Sequence, residues 1–417
     1  MSKSFKSLLF VIFFPISLFA QDSLIQVNSI DLLHDHPFSS GISSDLLSVN
    51  NQWTIGSNVM NRNMLFTGPN AEANAENLER IENESTKRLG LDFNNELNWK
   101  FNFKQKEGND YTYSTLSFGQ REIIGSLLSP DMTTLILFGN KSFLGEQKDL
   151  AYSNLQQLRY SSLGYRQAWV STRKGNRKTF EIGFKLLQGS NYVSSTIEKA
   201  DLFTDSLGES MSGEFKGEYF SSGSNTAFHH AGMGAAVDIR YQTTLSGNAA
   251  VSFSLRDFGV IRFNESTLFS VDSTIDYQGI VVDPNTEDAL TFDIRNEFLD
   301  EEDTRMIVAV PYTFQIKLHY QFSAKDLVEI GIESRNIGAY VQKFSASYAR
   351  FLGNSGKYFL ISGLDVGGFG RYYWQEQFMA QVSPKMAMLI GVGGIEGLVF
   401  NGLPMNSYLN FALSYKL

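Results

Sequence analysis

Four stretches of this chain alternate apolar and polar side chains residue by residue, and a period of two fixes the backbone as extended strand with two unlike faces. At 310–322, Tyr312, Phe314, Ile316, Leu318, Tyr320 and Phe322 share one face, against Thr313, Gln315, Lys317, His319 and Gln321 on the other. At 97–104, Leu97, Trp99, Phe101 and Phe103 oppose Asn98, Lys100, Asn102 and Lys104. The stretch 180–187 sets Phe180, Ile182, Phe184 and Leu186 against Glu181, Gly183 and Lys185, and 408–417 sets Leu409, Phe411, Leu413, Tyr415 and Leu417 against Tyr408, Asn410, Ala412, Ser414 and Lys416. Strands of water-soluble domains average about 5–6 residues, whereas a tilted strand crossing a bilayer needs about 9–11. The longer amphipathic runs predict an all-β, antiparallel transmembrane β-barrel, one face to lipid and the other to water. A secreted, soluble β-sandwich is the competing architecture.

Further strands are predicted near 51–61, 109–119, 131–139, 158–172, 192–204, 211–221, 231–244, 248–263, 267–283, 326–335, 341–351, 357–366, 370–382 and 386–393. Some of these are expected to pair as hairpins standing above the membrane. Single-chain bacterial barrels take even strand numbers, so the expectation is roughly 14 spanning strands, with about 12 to 16 admissible. In hydrocarbon every backbone N–H and C=O needs a partner, and only a closed sheet leaves no edge. Composition agrees, with 34 Phe, 18 Tyr and 35 Gly against 8 Pro among 417 residues. After residue 20 the apolar runs stay shorter than a spanning helix, and the 306–314 stretch is broken by Pro311.

Four segments are expected outside the 51–417 barrel pattern or within its loops. Residues 1–20 read as an export signal, with Lys3 and Lys6 ahead of an apolar run and Ala20 at its end. Residues 21–50 form an N-terminal segment that could plug the barrel. Residues 71–88 are rich in charged helix formers and predict a short helix at the barrel mouth, its thin apolar stripe made by Leu78 and Ile81, with Ala75 a further candidate. Residues 283–305 predict a long polar loop, in which Asp300, Glu301, Glu302 and Asp303 are spaced unlike an EF-hand and read as a solvated acidic run.

The chemistry of sites is thin. With no Cys there is no thiolate nucleophile, thiolate metal site, disulfide or lipid anchor on sulfur. The formal charge of −9 disfavours nucleic acid. Neither a G-x-S-x-G elbow nor a placed S-x-x-K arrangement is present. His34 and His36 flank Asp35, and the adjacent His229 and His230 point to opposite faces of a strand, so no metal and no cofactor are expected. Asp257-Phe258-Gly259 lacks every companion of a kinase magnesium motif; Gly259 instead suggests a bulge, a bend or a close approach within a strand. The polar faces place Asp238, Arg240, Lys317, His319, Glu329 and Glu333 toward the interior. They would either line a solute pathway or satisfy one another in a plugged lumen.

The stretch 252–263, SFSLRDFGVIRF, followed by IDYQGIVV at 275–282, resembles a signature of uncharacterised Bacteroidota outer-membrane barrels, carried here by Asp257, Gly259, Ile261, Tyr277, Gly279 and Ile280. The resemblance is clearest over 230–290 and 391–417, while the Asn-Pro-Ala of many relatives near the mature N-terminus is missing. Such proteins are similar in build to FadL-type transporters and to accessory barrels of type IX secretion and gliding. The resemblance implies an outer-membrane location and contact with its lipid, and it carries no established catalytic or ligand residue onto this sequence. Three functions follow as expectations. The first is a non-enzymatic accessory partner in a cell-surface or secretion assembly. The second is a FadL-like or porin-like transporter of a small solute. A membrane enzyme, the third, would require convergent Ser, His and acidic side chains at one membrane boundary.

Overall fold

The computed structural model describes residues 45–61, 63–64, 75–84, 86–105, 110–173, 176–223, 230–246, 248–278, 300–323, 325–352, 357–399 and 403–417. The export signal at 1–20, most of the 21–50 segment, His34, His36, His229, Gly279 and Ile280 lie outside them.

The described strands form one antiparallel sheet of 17 members. They are β1 (Leu46–Asn61), β2 (Lys87–Gln105), β3 (Tyr111–Leu128), β4 (Gln147–Asp149), β5 (Ser153–Arg173), β6 (Asn176–Thr204), β7 (Ser210–Gly223), β8 (Gly232–Ser246), β9 (Ala249–Gln278) and β10 (Asp300–Ala309), then β11 (Thr313–Gln321), β12 (Asp326–Arg335), β13 (Val341–Leu352), β14 (Tyr358–Gly368), β15 (Tyr372–Ser383), β16 (Met386–Gly393) and β17 (Pro404–Lys416). All but the three-residue β4 build the wall. At the waist the hydrogen-bonded circuit runs β1, β2, β3, β5, β6, β8, β9, β11 and then β12 to β17, and β17 returns to β1 with Leu46 opposite Lys416. Sixteen strands thus take part in the closed sheet, within the expected 12 to 16, and 14 of them meet at the waist. β7 and β10 continue the staves of β8 and β11 beyond it, pairing with the far halves of β6 and β9.

The alternating faces are those expected. Leu97, Trp99, Phe180, Phe184, Ile316, Leu318, Leu409 and Phe411 are exposed on the outside, while Glu181, Lys185, His319, Asn410 and Ser414 are buried within. No described helix is long and apolar enough to cross a membrane. At one end of the ring the strands are joined by connections of two to five residues; at the other the connections are mostly longer, β1 to β2 and β3 to β5 among them.

Several expectations need correction. Residues 131–139 form a helix, α2 (Pro130–Phe138), rather than a strand. Ser129 caps it by accepting from the Met132 N–H at 3.1 Å, Pro130 supplies a preset φ and Asp131 faces the positive helix end, so the start signals outweigh the apolar run that follows. The acidic run 300–303 opens strand β10 and is not part of a loop. The stretches 180–187 and 192–204 are one strand, β6, and 248–263 is continuous with most of 267–283 in β9. The first strand begins at Leu46, inside the segment assigned as a possible plug.

The expected short helix is present as α1 (Ala75–Glu82). Its Ile81 is fully buried with Val59, Met60, Met64 and the α2 residue Leu137, which places both helices at the mouth of the long-loop end. A third helix, α3 (Ile395–Val399), lies between β16 and β17.

Candidate functional site: an ion-pair bridge across the lumen

The interior is filled from the long-loop end by chain that turns inward. After Arg335 the β12–β13 connection buries Ile337 and Ala339 against Ile123, and Phe369 of the β14–β15 turn joins them. β2 and β3 make room with glycine: Gly90 and Gly125 are register partners facing the lumen. A Cβ on Gly90 would stand 1.8 Å from the Phe369 ring, and one on Gly125 would stand 2.6 Å from Ile337 Cδ1. Beside this plug, Tyr160, Leu187, Ile261 and Phe263 form a second apolar cluster reaching to Val308.

Next to this apolar fill lies a chain of nine charges of strictly alternating sign. Asp238 on β8 meets Lys185 on β6 at 2.8 Å, and Lys185 meets Asp257 on β9 at 2.7 Å. Asp257 takes Arg121 of β3 at 2.7 Å, and Arg121 binds Asp92 of β2 at 3.0 Å. Asp92 also holds Arg335 at the end of β12. From there the chain continues through Glu333 (2.9 Å), Lys343 of β13 (3.6 Å) and Asp365 of β14 (3.3 Å). β2 and β12 stand seven staves apart in either direction around the ring of 14, so the Asp92–Arg335 contact joins opposite walls. Both Arg121 and Asp92 side chains are under a tenth exposed. The bridge borders a polar cavity of about 60 Å³, also lined by Gln52, Asn94, Glu96, Arg166 and Arg256. That is room for a few waters, each needing about 10–15 Å³.

A bulge in β9 aims the centre of the bridge. Val237 faces Phe258 and Ile239 faces Leu255, so Arg256 and Asp257 together oppose Asp238 alone. Asp257 sits in the left-handed region at φ 59, and its backbone N–H donates to Asp238 Oδ1 at 2.8 Å. A non-glycine residue held there costs on the order of 1–2 kcal/mol, and a short carboxylate tolerates it best. Gly259 is a close approach and not the bulge itself: a Cβ there would lie 2.1 Å from the Ala235 carbonyl oxygen.

The six residues expected to face the interior are not brought together in one place. Asp238 and Glu333 belong to the bridge, and Arg240 stands opposite Glu181 in register. Lys317, His319 and Glu329 form a separate group toward the short-turn end. Lys317 Nζ is 2.6 Å from Glu329 Oε1, His319 Nδ1 is 3.1 Å from Glu329 Oε2, and His319 Nε2 is 3.1 Å from Ser252 Oγ. Sequence reading missed Asp92, Arg121, Arg335, Lys343 and Asp365 and assigned Asp257 no role. The available signal was parity: counting back from Asn98 by twos places Glu96, Asn94 and Asp92 on the inner face.

Among solved structures, the chain is similar to a deltaS2S3 mutant of the TodX monoaromatic hydrocarbon channel, at 12% identity over 91% of this chain and 92% of that one, with a TM-score of 0.48. It is similar to the CymD monoaromatic hydrocarbon channel at 8% identity over 94% of each chain, TM-score 0.44. It is also similar to the translocator domain of the autotransporter NalP from Neisseria meningitidis at 7% identity over 91% of each chain, TM-score 0.33. No curated protein matches the sequence. A family profile matches residues 38–361, a span that holds the bulge and most of the bridge, and the chain belongs to that family, described as a family of unknown function (DUF5723).

Proposed function

We propose that this protein is an outer-membrane β-barrel that passes a small solute through a lumen held shut by the ion-pair bridge. The observation that carries this reading is the chain of nine alternating charges from β8 to β14, joining opposite walls beside a polar cavity. A lumen that only needs sealing is better filled by apolar packing, because buried ion pairs carry a desolvation penalty that their mutual attraction often fails to exceed. Charges that meet water when the path opens recover that hydration. The exposed aromatic and aliphatic girdle gives the barrel its lipid contact, and the short connections fit the periplasmic end, as in other bacterial barrels.

Liposome swelling tests the reading. The wild-type barrel is expected to admit small sugars and amino acids slowly, and the Arg121→Gln, Asp257→Asn double variant quickly. Fast entry through the wild type, or no entry through a folded double variant, would contradict it.

A second reading, an accessory partner in a surface assembly, is favoured by one observation: β6, β7, β9 and β10 carry the sheet past the ring, with Tyr219 and Phe203 exposed there. Recovery of the barrel alone after mild detergent extraction would count against it.

A further inference from the structure

We infer that Ser252, His319 and Glu329 form a nucleophilic site inside the barrel, directed at esters or thioesters with an apolar acyl group. Ser252 stands on β9, His319 on β11 and Glu329 on β12, three adjacent staves. His319 and Glu329 are register partners. Ser252 is opposite Lys317, so His319 lies diagonally across from it. The Ser252 Oγ–His319 Nε2 and His319 Nδ1–Glu329 Oε2 separations are both 3.1 Å. This is the order nucleophile, base, carboxylate that activates a serine hydroxyl, with Glu329 at ion-pair distance from the imidazole.

Three surroundings suit the chemistry. His319 is 5% exposed, which shields the imidazole, while Ser252 is only half-buried and Arg256, on the same inner face two pleats on, is exposed. Reactants therefore reach the hydroxyl from the side on which Arg256 is exposed. Inner-face strand positions have their backbone N–H groups committed to the ladder, so the developing oxyanion needs a side-chain donor, and Lys317 is directly opposite Ser252. Leu327, two residues before Glu329 on the same face, belongs to a buried apolar wall with Ala349, Phe351, Phe359, Met379 and Leu389. That wall is where an acyl chain would lie.

In the reaction, Ser252 Oγ bonds to the acyl carbon as its proton passes to His319 Nε2. The C–O or C–S bond to the leaving group breaks, and that group departs with the proton. Water then attacks the acyl-serine, His319 taking its proton and returning one to Ser252, which releases the carboxylic acid. Glu329 acts as a positioning residue for the imidazole.

The test is labelling of the full-length barrel in detergent with a fluorophosphonate probe, alongside hydrolysis of p-nitrophenyl butyrate. The expected result is stoichiometric labelling of Ser252, lost in Ser252→Ala and cut at least a hundredfold in His319→Gln. Glu329→Gln should lower the rate at least tenfold and Glu329→Asp should restore part of it. Absence of labelling in folded wild type, shown by heat-modifiable gel mobility, overturns the inference, as does labelling that survives in Ser252→Ala. If Ser252→Ala only lowers thermal stability and wild type never reacts, the contact is structural and the inference fails. None of these outcomes depends on whether the lumen conducts.

Discussion

Single residues shape what fills the lumen, and each acts by a different physical route. Arg121 is buried between two carboxylates at 3.0 and 2.7 Å, so Arg121→Met leaves the buried Asp92 and Asp257 with fewer cations. Removing one partner of such a pair is expected to cost about 3–5 kcal/mol, measured by urea unfolding in micelles with the four tryptophans as reporters. Gly90 acts by shape. Gly90→Ala drives a methyl into the Phe369 ring and should destabilise by about 1–3 kcal/mol. In a Phe369→Ala background most of that loss should vanish, because the two residues share one volume; an unchanged penalty would show that Phe369 does not fill the Gly90 recess. These roles were poorly legible in the sequence. Asp92 and Arg335 are 243 positions apart and Arg121 and Asp257 are 136 apart, so no local spacing reports them. Only the parity of each strand and the Asp-x-Gly of 257–259 gave a hint.

At the scale of elements, the sequence revealed what periodicity encodes and hid what chain turns decide. The outward faces of β2, β6, β11 and β17 followed from alternation alone, and α1 from its run of helix formers. α2 was hidden because MTTLILF is apolar and partly β-branched, and the Ser129-Pro130-Asp131 start was the better guide. Ser129→Ala is expected to cost about 1 kcal/mol, read as a lower urea midpoint with an unchanged slope. The mouth helices also cover a cation. Lys87 is the first residue of β2, at the long-loop end, and is 1% exposed. Burial lowers its ammonium from 10.5 to about 8, with the Glu84 carboxylate opposing. The folded state then binds fewer protons than the unfolded chain between about 8 and 10.5, so this residue makes stability rise with pH across that window and penalises the fold below it. Lys87→Met should raise the melting temperature at pH 7 and flatten the rise above pH 8. A variant less stable at pH 7, with the rise intact, would contradict the assignment.

For the whole molecule, a closed ring of long antiparallel strands was readable, though not its strand number, because a bilayer demands both closure and long amphipathic strands. Whether that ring is open was not readable, because it depends on inward turns at 336–340 and 369 and on pairings between opposite walls. The structure places apolar fill at the long-loop end, the charged bridge next to it, and the Ser252–His319–Glu329 group toward the short turns. The central claim is that the bridge holds the lumen shut. Planar-bilayer recording tests it most directly: wild-type protein should insert with little or no steady conductance, and Arg121→Ala, Arg335→Ala barrels should give discrete, reproducible steps. Steady wild-type steps of the same size as those of the double variant would contradict the account.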